Sequence, residues 1–332
     1  MEISGRILIA CLVAAAWTPT AHADPRYERY DGACDASAAI GLAADRFVVA
    51  EDEHDVLHVY RFGGGKPVAE INVTDFLGNR RPGHKPKEAD LEGAAKIDRT
   101  IYWISSHGRD RHGDYEPTRH RLFATEMVTG ASPTVKPAGM VYKDLIRDLS
   151  AAPQTRSLNL AEASAKTPEA EGGLNIEGLA ASPEGHLLIG FRNPLPAGKA
   201  LVVTLTNPAD VIERGGKPDF EAPHLLDLGG RGIRSMERVG SRYVIIAGPF
   251  GDSPGGTSDF ALFSWGGNDQ APERLTADFG SLRPEALFAT DVADEVYVLS
   301  DDGDEDIDGM PCKSSEVPLI KKYFRGMRLR IR

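Results

Sequence analysis

The segment NIEGLAASPEGHLLIGFRN (175–193) contains the pattern that decides the fold. An acidic residue is followed by a run of small and apolar residues, a polar turn with Pro and Gly, and a strongly apolar run. Two short apolar runs joined by such a turn are typical of a β-hairpin. The same pattern recurs in residues 34–53, 90–108, 234–249 and 283–303. The sequence therefore contains five related repeats.

Each repeat carries an acid near its start, and these acids are Asp35, Glu92, Glu177, Glu237 and Glu285. They stand 48 to 85 residues apart. Propeller blades repeat about every 40–50 residues, and insertions lengthen some intervals. Further strand-like runs follow each hairpin. The sequence thus predicts an all-β fold, a single β-propeller of five four-stranded blades, or six if an insertion at about 143–173 hides a degenerate blade.

The first residues predict a secretory signal peptide over residues 1–23. Arg6 gives a positive start, residues 7–16 form an apolar run, and Ala21-His22-Ala23 is a small-x-small cleavage site. An apolar run of about ten residues is shorter than the roughly 20 that span a bilayer. We expect cleavage after Ala23, a secreted or periplasmic protein without membrane insertion, and one propeller domain over residues 24–332.

The two ends of the mature chain are predicted to meet. Only one strand-like run follows the fifth hairpin, so the last blade lacks its outermost strand, and residues 26–30 are placed to supply it. Cys34 and Cys312 are the cysteines that remain after cleavage. In an oxidising compartment an even count favours a disulfide, although two separate buried thiols are the alternative. Both features indicate a ring closed by the N- and C-terminal strands.

Charge and composition exclude some classes of partner. The formal net charge is −11, which argues against binding nucleic acid through its phosphates. The 35 Gly and 22 Pro residues favour many tight turns rather than a helical bundle. A closed ring leaves few strand edges to cover. We therefore expect a monomer.

Several runs carry a resemblance to a known family. They are SHGRDRHG (106–113), IEGLAAS (176–182), IGFRNPL (189–195), DLGGRGIRSME (227–237) and RPEAL (283–287). The chain resembles the secreted bacterial domain-of-unknown-function family 3616 over almost the whole mature sequence. The repeated Glu-Gly element is more distantly similar to the propeller class described as phytase-like or esterase-like. The resemblance implies a fold more than a reaction.

The five acids define the candidate site. In a propeller the first strand of each blade lines the central channel, so the acids are expected to ring its mouth. Basic residues accompany them: His107, Arg109, Arg192, Arg234 and Arg283. A mixed rim suits a divalent cation or a small anionic ligand held by arginines. Glu–Arg pairs that join neighbouring blades would give the same pattern without a ligand.

A second candidate site is the run DEDIDG (304–309), which begins like a calcium-binding loop. Asp304, Asp306 and Asp308 would supply the oxygens, and calcium is the expected cofactor. Ser315 stands where such a loop carries its bidentate glutamate, and Glu316 comes one residue late. A solvated acidic loop is the alternative.

The sequence leaves the kind of function open. It contains no nucleophile elbow, no H-E-x-x-H motif and no phosphate-cradling loop. The first hypothesis is a protein that binds a small anion or a divalent cation at the channel mouth. The alternatives are a phytase-like phosphoesterase that uses calcium, and a scaffold for protein interactions.

Overall fold

The computed structural model describes residues 26–51, 53–80, 83, 87–251 and 259–331. The predicted signal peptide and its cleavage site lie outside the described residues. Within them, no helix is both long and apolar enough to cross a bilayer.

The described chain forms five four-stranded antiparallel sheets, which are the five blades of a propeller. The N-terminal strand and the first two blades comprise β1 (Glu28–Asp31), β2 (Ala38–Ala43), β3 (Arg46–Ala50), β4 (Val56–Arg61), β5 (Ala69–Asn72), β6 (Leu91–Ile97), β7 (Thr100–Ser105), β8 (Leu122–Val128) and β9 (Thr134–Tyr142). The third and fourth blades comprise β10 (Asn175–Ala181), β11 (Leu187–Asn193), β12 (Ala200–Leu205), β13 (His224–Leu226), β14 (Gly232–Val239), β15 (Arg242–Gly248), β16 (Ala261–Trp265) and β17 (Glu273–Leu275). The fifth blade and its hairpin comprise β18 (Pro284–Ala289), β19 (Glu295–Ser300), β20 (Asp306–Ile307), β21 (Met310–Pro311) and β22 (Tyr323–Arg330).

Helices occupy the connections between strands. They are α1 (Thr74–Leu77), α2 (Leu145–Ala151), α3 (Leu160–Ala163) and α4 (Pro208–Arg214), with 3-10 turns at Pro117–Arg119, Arg156–Leu158, Pro196–Gly198 and Leu319–Lys321. The predicted insertion at 143–173 contains α2 and α3 and no described strand. Its apolar side chains, such as Leu149 and Leu160, are buried in the core that the second and third blades share. The insertion is therefore not a sixth blade.

The blades are arranged as a ring. The innermost strands β2, β6, β10, β14 and β18 each contact the innermost strands of both neighbouring blades. Apolar clusters fill the spaces between neighbouring blades: Val48 and Trp103 share the cluster between the first and second blades, and Phe47 and Tyr297 share the one between the first and the fifth. Most of the stabilisation of the ring comes from burying these short, Val-, Ile- and Leu-rich strands on both faces.

The ring closes as the sequence predicts. Strand β1 pairs antiparallel with β22 as the outermost strand of the fifth blade, with Tyr30 opposite Phe324. A disulfide joins Cys34, just before the first blade, to Cys312, in the excursion between β19 and β22. In the chain-entropy model, a link that closes a loop of 278 residues removes about 5 kcal/mol of unfolded-state entropy.

A group of polar side chains, called here the closure cluster, lies where β1 meets the fifth blade. The carboxylate of Glu28 accepts hydrogen bonds from the Tyr30 and Tyr297 hydroxyls, the latter at 2.6 Å, and from the Gly63 amide at 2.7 Å. Burial opposes ionisation of Glu28, but these three donors together lower its pKa below the ordinary value. The closure cluster thus provides each buried polar group with a partner.

Candidate functional site

A cavity of about 1300 Å³ opens at the end of the channel where the innermost strands begin. Of the described residues that line it, twelve are Asp or Glu and eight are Arg or Lys. The lining is therefore strongly charged, with more acids than bases. The structure places most of the predicted ring residues in this lining: Asp35, Glu92, Glu177, Glu285, Arg109, Arg192, Arg234 and Arg283.

A β-bulge positions the central side chains of the cavity. In four blades the innermost strand skips one residue in its pairing with the second strand, and the skipped residue is Glu92, Glu177, Arg234 or Glu285. A bulge turns the side chain of the extra residue away from its regular direction. These four residues form what we call the mouth cluster.

The residue after the bulge must be small where the inner strands approach one another. A Cβ on Gly178, which follows Glu177, would lie 2.7 Å from Cγ2 of Ile233 in the next blade. A Cβ on Gly93, which follows Glu92, would lie 2.9 Å from Cγ2 of Ile104. In the repeated Glu-Gly element, the glutamate lines the cavity, and close packing restricts the next position to a small residue.

The first blade departs from this pattern. The pairing of β2 with β3 is regular at its start and shifts only between Gly41 and Ala43. Asp35 precedes β2 and lines the cavity from the connection between β1 and β2. The first repeat thus contributes an acid to the lining, but not from a bulge.

The prediction for Glu237 needs a correction. The bulge position of the fourth blade is occupied by Arg234, and Glu237 lies three residues further along β14, outside the cavity lining. Glu237 interacts electrostatically with Lys96 of the second blade. Burial raises the pKa of Glu237 to about 7, and the positive charges of Lys96 and Arg238 oppose the shift. It therefore lies near the other end of β14, away from the mouth cluster.

Arg234 lies at the centre of the mouth cluster. Its Nε is 3.0 Å from Glu177 Oε2, and its Nη2 contacts Glu285 Oε2. Arg192 adds a second contact to Glu177, with 3.0 Å between Nη1 and Oε1. Arg234, Glu177 and Glu285 are all buried. Ion pairs between blades, the alternative recognised from the sequence, are therefore present.

The mouth cluster brings three carboxylates close together around one arginine. One carboxylate oxygen from each of Glu92, Glu177 and Glu285 lies within 4.8 Å of the others. Burial raises the pKa of Glu285 to about 7, Arg234 opposes this shift, and the negative charges of Glu177 and Asp301 add to it. The pKa of Arg234 is raised in turn by Glu177 and Glu285, against the effect of burial. The arrangement holds an excess of negative charge.

An uncharged acceptor lies beside these carboxylates. Asn175 is 5% exposed and lines the cavity, and its Nδ2 donates to Glu177 Oε1 at 2.9 Å. Its Oδ1 has no hydrogen-bond partner among the described residues. A buried amide oxygen without a donor costs about 1–3 kcal/mol, so this oxygen is available to a cation or a water molecule.

The predicted anion clamps already have acceptors. Arg192 donates to the carbonyl oxygens of Pro249 and Gly251, and Arg109 donates to those of Ser164 and Gly113. Arg283 donates to Asp304 at 2.8 Å. An anion would have to compete with these contacts, so the mouth is better prepared for a positive ligand.

The structure does not place His107 in the cavity. Its ring is buried, with Nδ1 2.8 Å from the Ser105 carbonyl oxygen, and it packs edge-on against His120. Burial lowers the pKa of His107 to about 3, assisted by His120 and Arg121 and opposed by the bond to Ser105. The expected ligand role is therefore not supported, because this buried ring of the β7–β8 connection does not line the cavity.

The three aspartates of the predicted calcium loop point to different partners. Asp304 contacts Arg283 and Lys313, Asp306 accepts from the Gly309 amide, and Asp308 contacts Lys321. Strands β20 and β21 make this segment a tight hairpin. Among the described residues, no group of three or more potential metal ligands includes these aspartates. The geometry gives the calcium loop no support.

Sequence reasoning missed a second layer of charged residues. Arg119 contacts Asp90 at 3.0 Å and Glu88 at 2.9 Å, and all three line the cavity. Asp90 has a positive φ of 56°. It is the first residue of the second repeat, so its place at the start of the acidic pattern was a usable signal. Glu53 and His54 also line the cavity from the connection between β3 and β4.

Comparisons with known proteins found one similar family and several similar solved structures. The model of the family described as "Protein of unknown function (DUF3616)" matches residues 144–295. No curated protein sequence matches the chain. Among solved structures, a glutaminyl cyclase from Myxococcus xanthus is similar, with 10% sequence identity and a TM-score of 0.43. The match covers 92% of this chain and 95% of that chain. The PQQ-bound form of an aldose sugar dehydrogenase from Streptomyces coelicolor is 10% identical, with 92% and 100% covered and a TM-score of 0.38. The resemblance to the DUF3616 family is thus confirmed over residues 144–295.

Proposed function

We propose that the protein is a secreted or periplasmic propeller that binds a divalent cation at its channel mouth. The observation that carries the proposal is the mouth cluster, in which three carboxylates from three blades lie within 4.8 Å with Arg234 paired to two of them. The disulfide is consistent with an oxidising compartment.

The donor atoms favour a hard cation such as Ca²⁺. The mouth offers carboxylate oxygens from Glu92, Glu177 and Glu285 and the amide oxygen of Asn175, with no sulfur ligand. Calcium is bound by six to eight such oxygens in flexible arrangements, commonly with water completing the set. A cation would reduce the repulsion among the three carboxylates beyond what Arg234 and Arg192 do, and would give Asn175 Oδ1 a partner.

The size of the cavity allows more than an ion. At about 1300 Å³ it exceeds the space that a hydrated ion needs. A small anion could bind through the cation instead of through the arginines, since those already have acceptors. This arrangement keeps both ligand classes expected from the sequence, with the cation binding first.

Calorimetric titration tests the proposal. Protein stripped with a chelator is titrated with CaCl₂, and the melting temperature is measured with and without Ca²⁺. We expect saturable binding and a higher melting temperature in the wild type, and loss of both in Glu177→Gln and Glu285→Gln. Glu237→Gln is the matched control, because it removes an acid of the same channel outside the mouth cluster.

Two results would contradict the proposal. One is the absence of any Ca²⁺ response at millimolar concentration in the wild type, since extracellular sites bind Ca²⁺ at about 10⁻⁴–10⁻³ M. The other is an equal response in Glu285→Gln. Calcium-dependent hydrolysis of a phosphomonoester panel would instead support the phosphoesterase alternative, in which the cation and Arg192 orient a phosphate.

A further inference from the structure

A second cavity, called here the interblade pocket, lies between the third and fourth blades. It has a volume of about 360 Å³ and is lined by the turns after β10 and β14, by residues of β12, β13 and β15, and by the glycines after β16. The innermost strands β10 and β14 begin at the mouth cluster, so the turns that follow them lie at the opposite face of the ring. Among the described residues, none lines both this pocket and the channel cavity. Its volume is near the lower end of the roughly 300–1,000 Å³ that small-molecule sites have.

Two buried hydroxyl groups line the interblade pocket without a hydrogen-bond partner. Thr204 on β12 is 4% exposed, and Tyr243 on β15 is 5% exposed. Neither hydroxyl makes a hydrogen bond within the part of the chain that the structure describes. A buried polar group without a partner lowers the stability of the fold, and native structures that retain one commonly hold a water molecule or a ligand there. These two hydroxyls therefore indicate an occupant of the pocket.

Two imidazole rings line the same pocket. His186 precedes β11 and His224 lies on β13, and the side chain of each is 26% exposed. Nδ1 of His186 is 3.8 Å from Glu221 Oε1, and Nδ1 of His224 is 3.9 Å from Asp269 Oδ1. These distances are longer than a hydrogen bond, so both rings can bond to a ligand. A neutral imidazole has one donor and one acceptor, and a hydroxyl group also donates and accepts. The lining thus contains four groups that can each both donate and accept.

The charged side chains of the pocket compensate one another. Glu184 interacts electrostatically with Arg238 and His186. Nη1 of Arg238 also donates to the Gly240 carbonyl oxygen at 3.3 Å. An anionic ligand would be repelled by Glu184 and Glu221, and a cationic ligand would be repelled by Arg238. By contrast, the two hydroxyls without partners are uncharged. The pocket is therefore better suited to a neutral ligand with several hydroxyl groups.

One wall of the interblade pocket is apolar. Leu188 contributes to it, and the ring of Tyr243 packs against Trp265 with 5.5 Å between the ring centroids. Gly267 carries no side chain over the edge of the Tyr243 ring. Its φ is 75°, and a Cβ there would lie 2.7 Å from Cε2 of Tyr243. A sugar ring has C–H groups on its faces and hydroxyls around its edge, so an apolar wall beside hydroxyl and imidazole partners matches both.

We infer that the interblade pocket binds a neutral polyhydroxyl ligand of the monosaccharide class. Thr204, Tyr243, His186 and His224 would supply its hydrogen bonds. Each hydroxyl of such a ligand donates one hydrogen bond and accepts others, which gives every one of these groups a partner. The inference does not depend on the proposed calcium site, because the two sites lie at opposite faces of the ring and share no residue.

The first test measures the binding of neutral and charged sugars by saturation-transfer NMR and calorimetry. The probes are glucose, galactose and mannose, each beside its uronate and its amino sugar. We expect saturable binding of at least one neutral sugar in the millimolar range. Its charged counterparts should bind at least about 10-fold more weakly, because their charge would be buried without a partner. Absence of binding by all three neutral sugars at millimolar concentration, or tighter binding of a charged counterpart, would overturn the inference.

The second test removes single hydroxyls and leaves the packing in place. Thr204→Val and Tyr243→Phe should each weaken binding of the neutral sugar about 10-fold, since each loses one hydrogen bond. Tyr102→Phe is the matched control, because Tyr102 is 3% exposed on the second strand of another blade and lies outside the pocket. It should bind the sugar like the wild type. Glu285→Gln should also keep the sugar response, and Thr204→Val should keep the Ca²⁺ response, so the two sites fail separately. Wild-type sugar affinity in both Thr204→Val and Tyr243→Phe would contradict the assigned roles and overturn the inference.

Discussion

The closure cluster and the mouth cluster treat buried charge in opposite ways. At the closure cluster, one carboxylate, Glu28, is surrounded by neutral donors, and its pKa is lowered. At the mouth cluster, three carboxylates lie close together, and Arg234 pairs with two of them, Glu177 and Glu285. The pKa of Glu285 is raised to about 7. The first arrangement stabilises the folded ring, whereas the second costs stability. Buried charge that is retained although it lowers the stability of the fold is typical of a binding site.

The largest expected effect concerns the closed end of the ring. The double variant Cys34→Ser/Cys312→Ser should lower the free energy of unfolding by about 5 kcal/mol, because the unfolded chain regains the entropy of the long loop. Denaturant unfolding measures the change. Calcium binding by the folded fraction should stay at the wild-type level. A loss of stability below about 1 kcal/mol would show that the closure depends little on the disulfide.

At the mouth cluster, Arg234→Met should destabilise the protein by about 3–5 kcal/mol, since two buried carboxylates lose their shared partner. The loss should be smaller at pH 5 than at pH 8, because the carboxyl groups can then take up protons. Arg238→Met, on the same strand, is the control and should cost less than about 1 kcal/mol. Equal effects of the two variants would contradict the central role of Arg234.

Glu285→Gln should instead raise the free energy of unfolding at high pH. The folded pKa of Glu285 is raised to about 7, above the ordinary value of a glutamate, so its contribution to stability is complete at low pH and is lost as the pH rises through 7. Glutamine does not titrate. The variant should match the wild type at pH 5 and be about 1–3 kcal/mol more stable at pH 8. Unfolding curves at the two pH values measure the difference, and a variant that is less stable at pH 8 would contradict the excess of negative charge.

The smallest expected effect on stability comes from a substitution in the closure cluster. Tyr297→Phe removes one donor to Glu28 and should lower the free energy of unfolding by about 1–2 kcal/mol. Because the pKa of Glu28 is lowered, this loss should be present at pH 7 and should shrink as the pH falls and Glu28 is protonated. A loss that does not change between pH 7 and pH 3 would show that Tyr297 acts by packing alone.

Much of the architecture could be predicted because local sequence patterns indicate it. The hairpin repeats, the missing outer strand of the fifth blade and the two cysteines gave the five-bladed ring and its closure, and both are confirmed. Inner strands are buried on both faces, so their apolar runs are strong signals.

The site was harder to predict, because its geometry depends on bulges and on contacts across strands. Matching acid to acid aligned Glu237 with Glu177, whereas the pairing register aligns Arg234 with Glu177. A bulge leaves no signal in the amino-acid composition. The presence of Arg234 instead of an acid at the bulge of the fourth blade therefore could not be predicted. The contact between His58 and Glu70 could not be predicted for a related reason, since these residues meet only through the register of β4 with β5.

The position of β22 within its sheet has a consequence for biogenesis. Strand β22 lies between β19 and β1, so within the fifth blade β1 has no neighbour to pair with until β22 has been made. Four blades can assemble in the order of synthesis, but the fifth must wait for both termini. Strand β1 is therefore made first and remains without its partner in the sheet for the longest time, and until then the parallel bridge between Tyr30 and Gly65 is the contact available to its backbone.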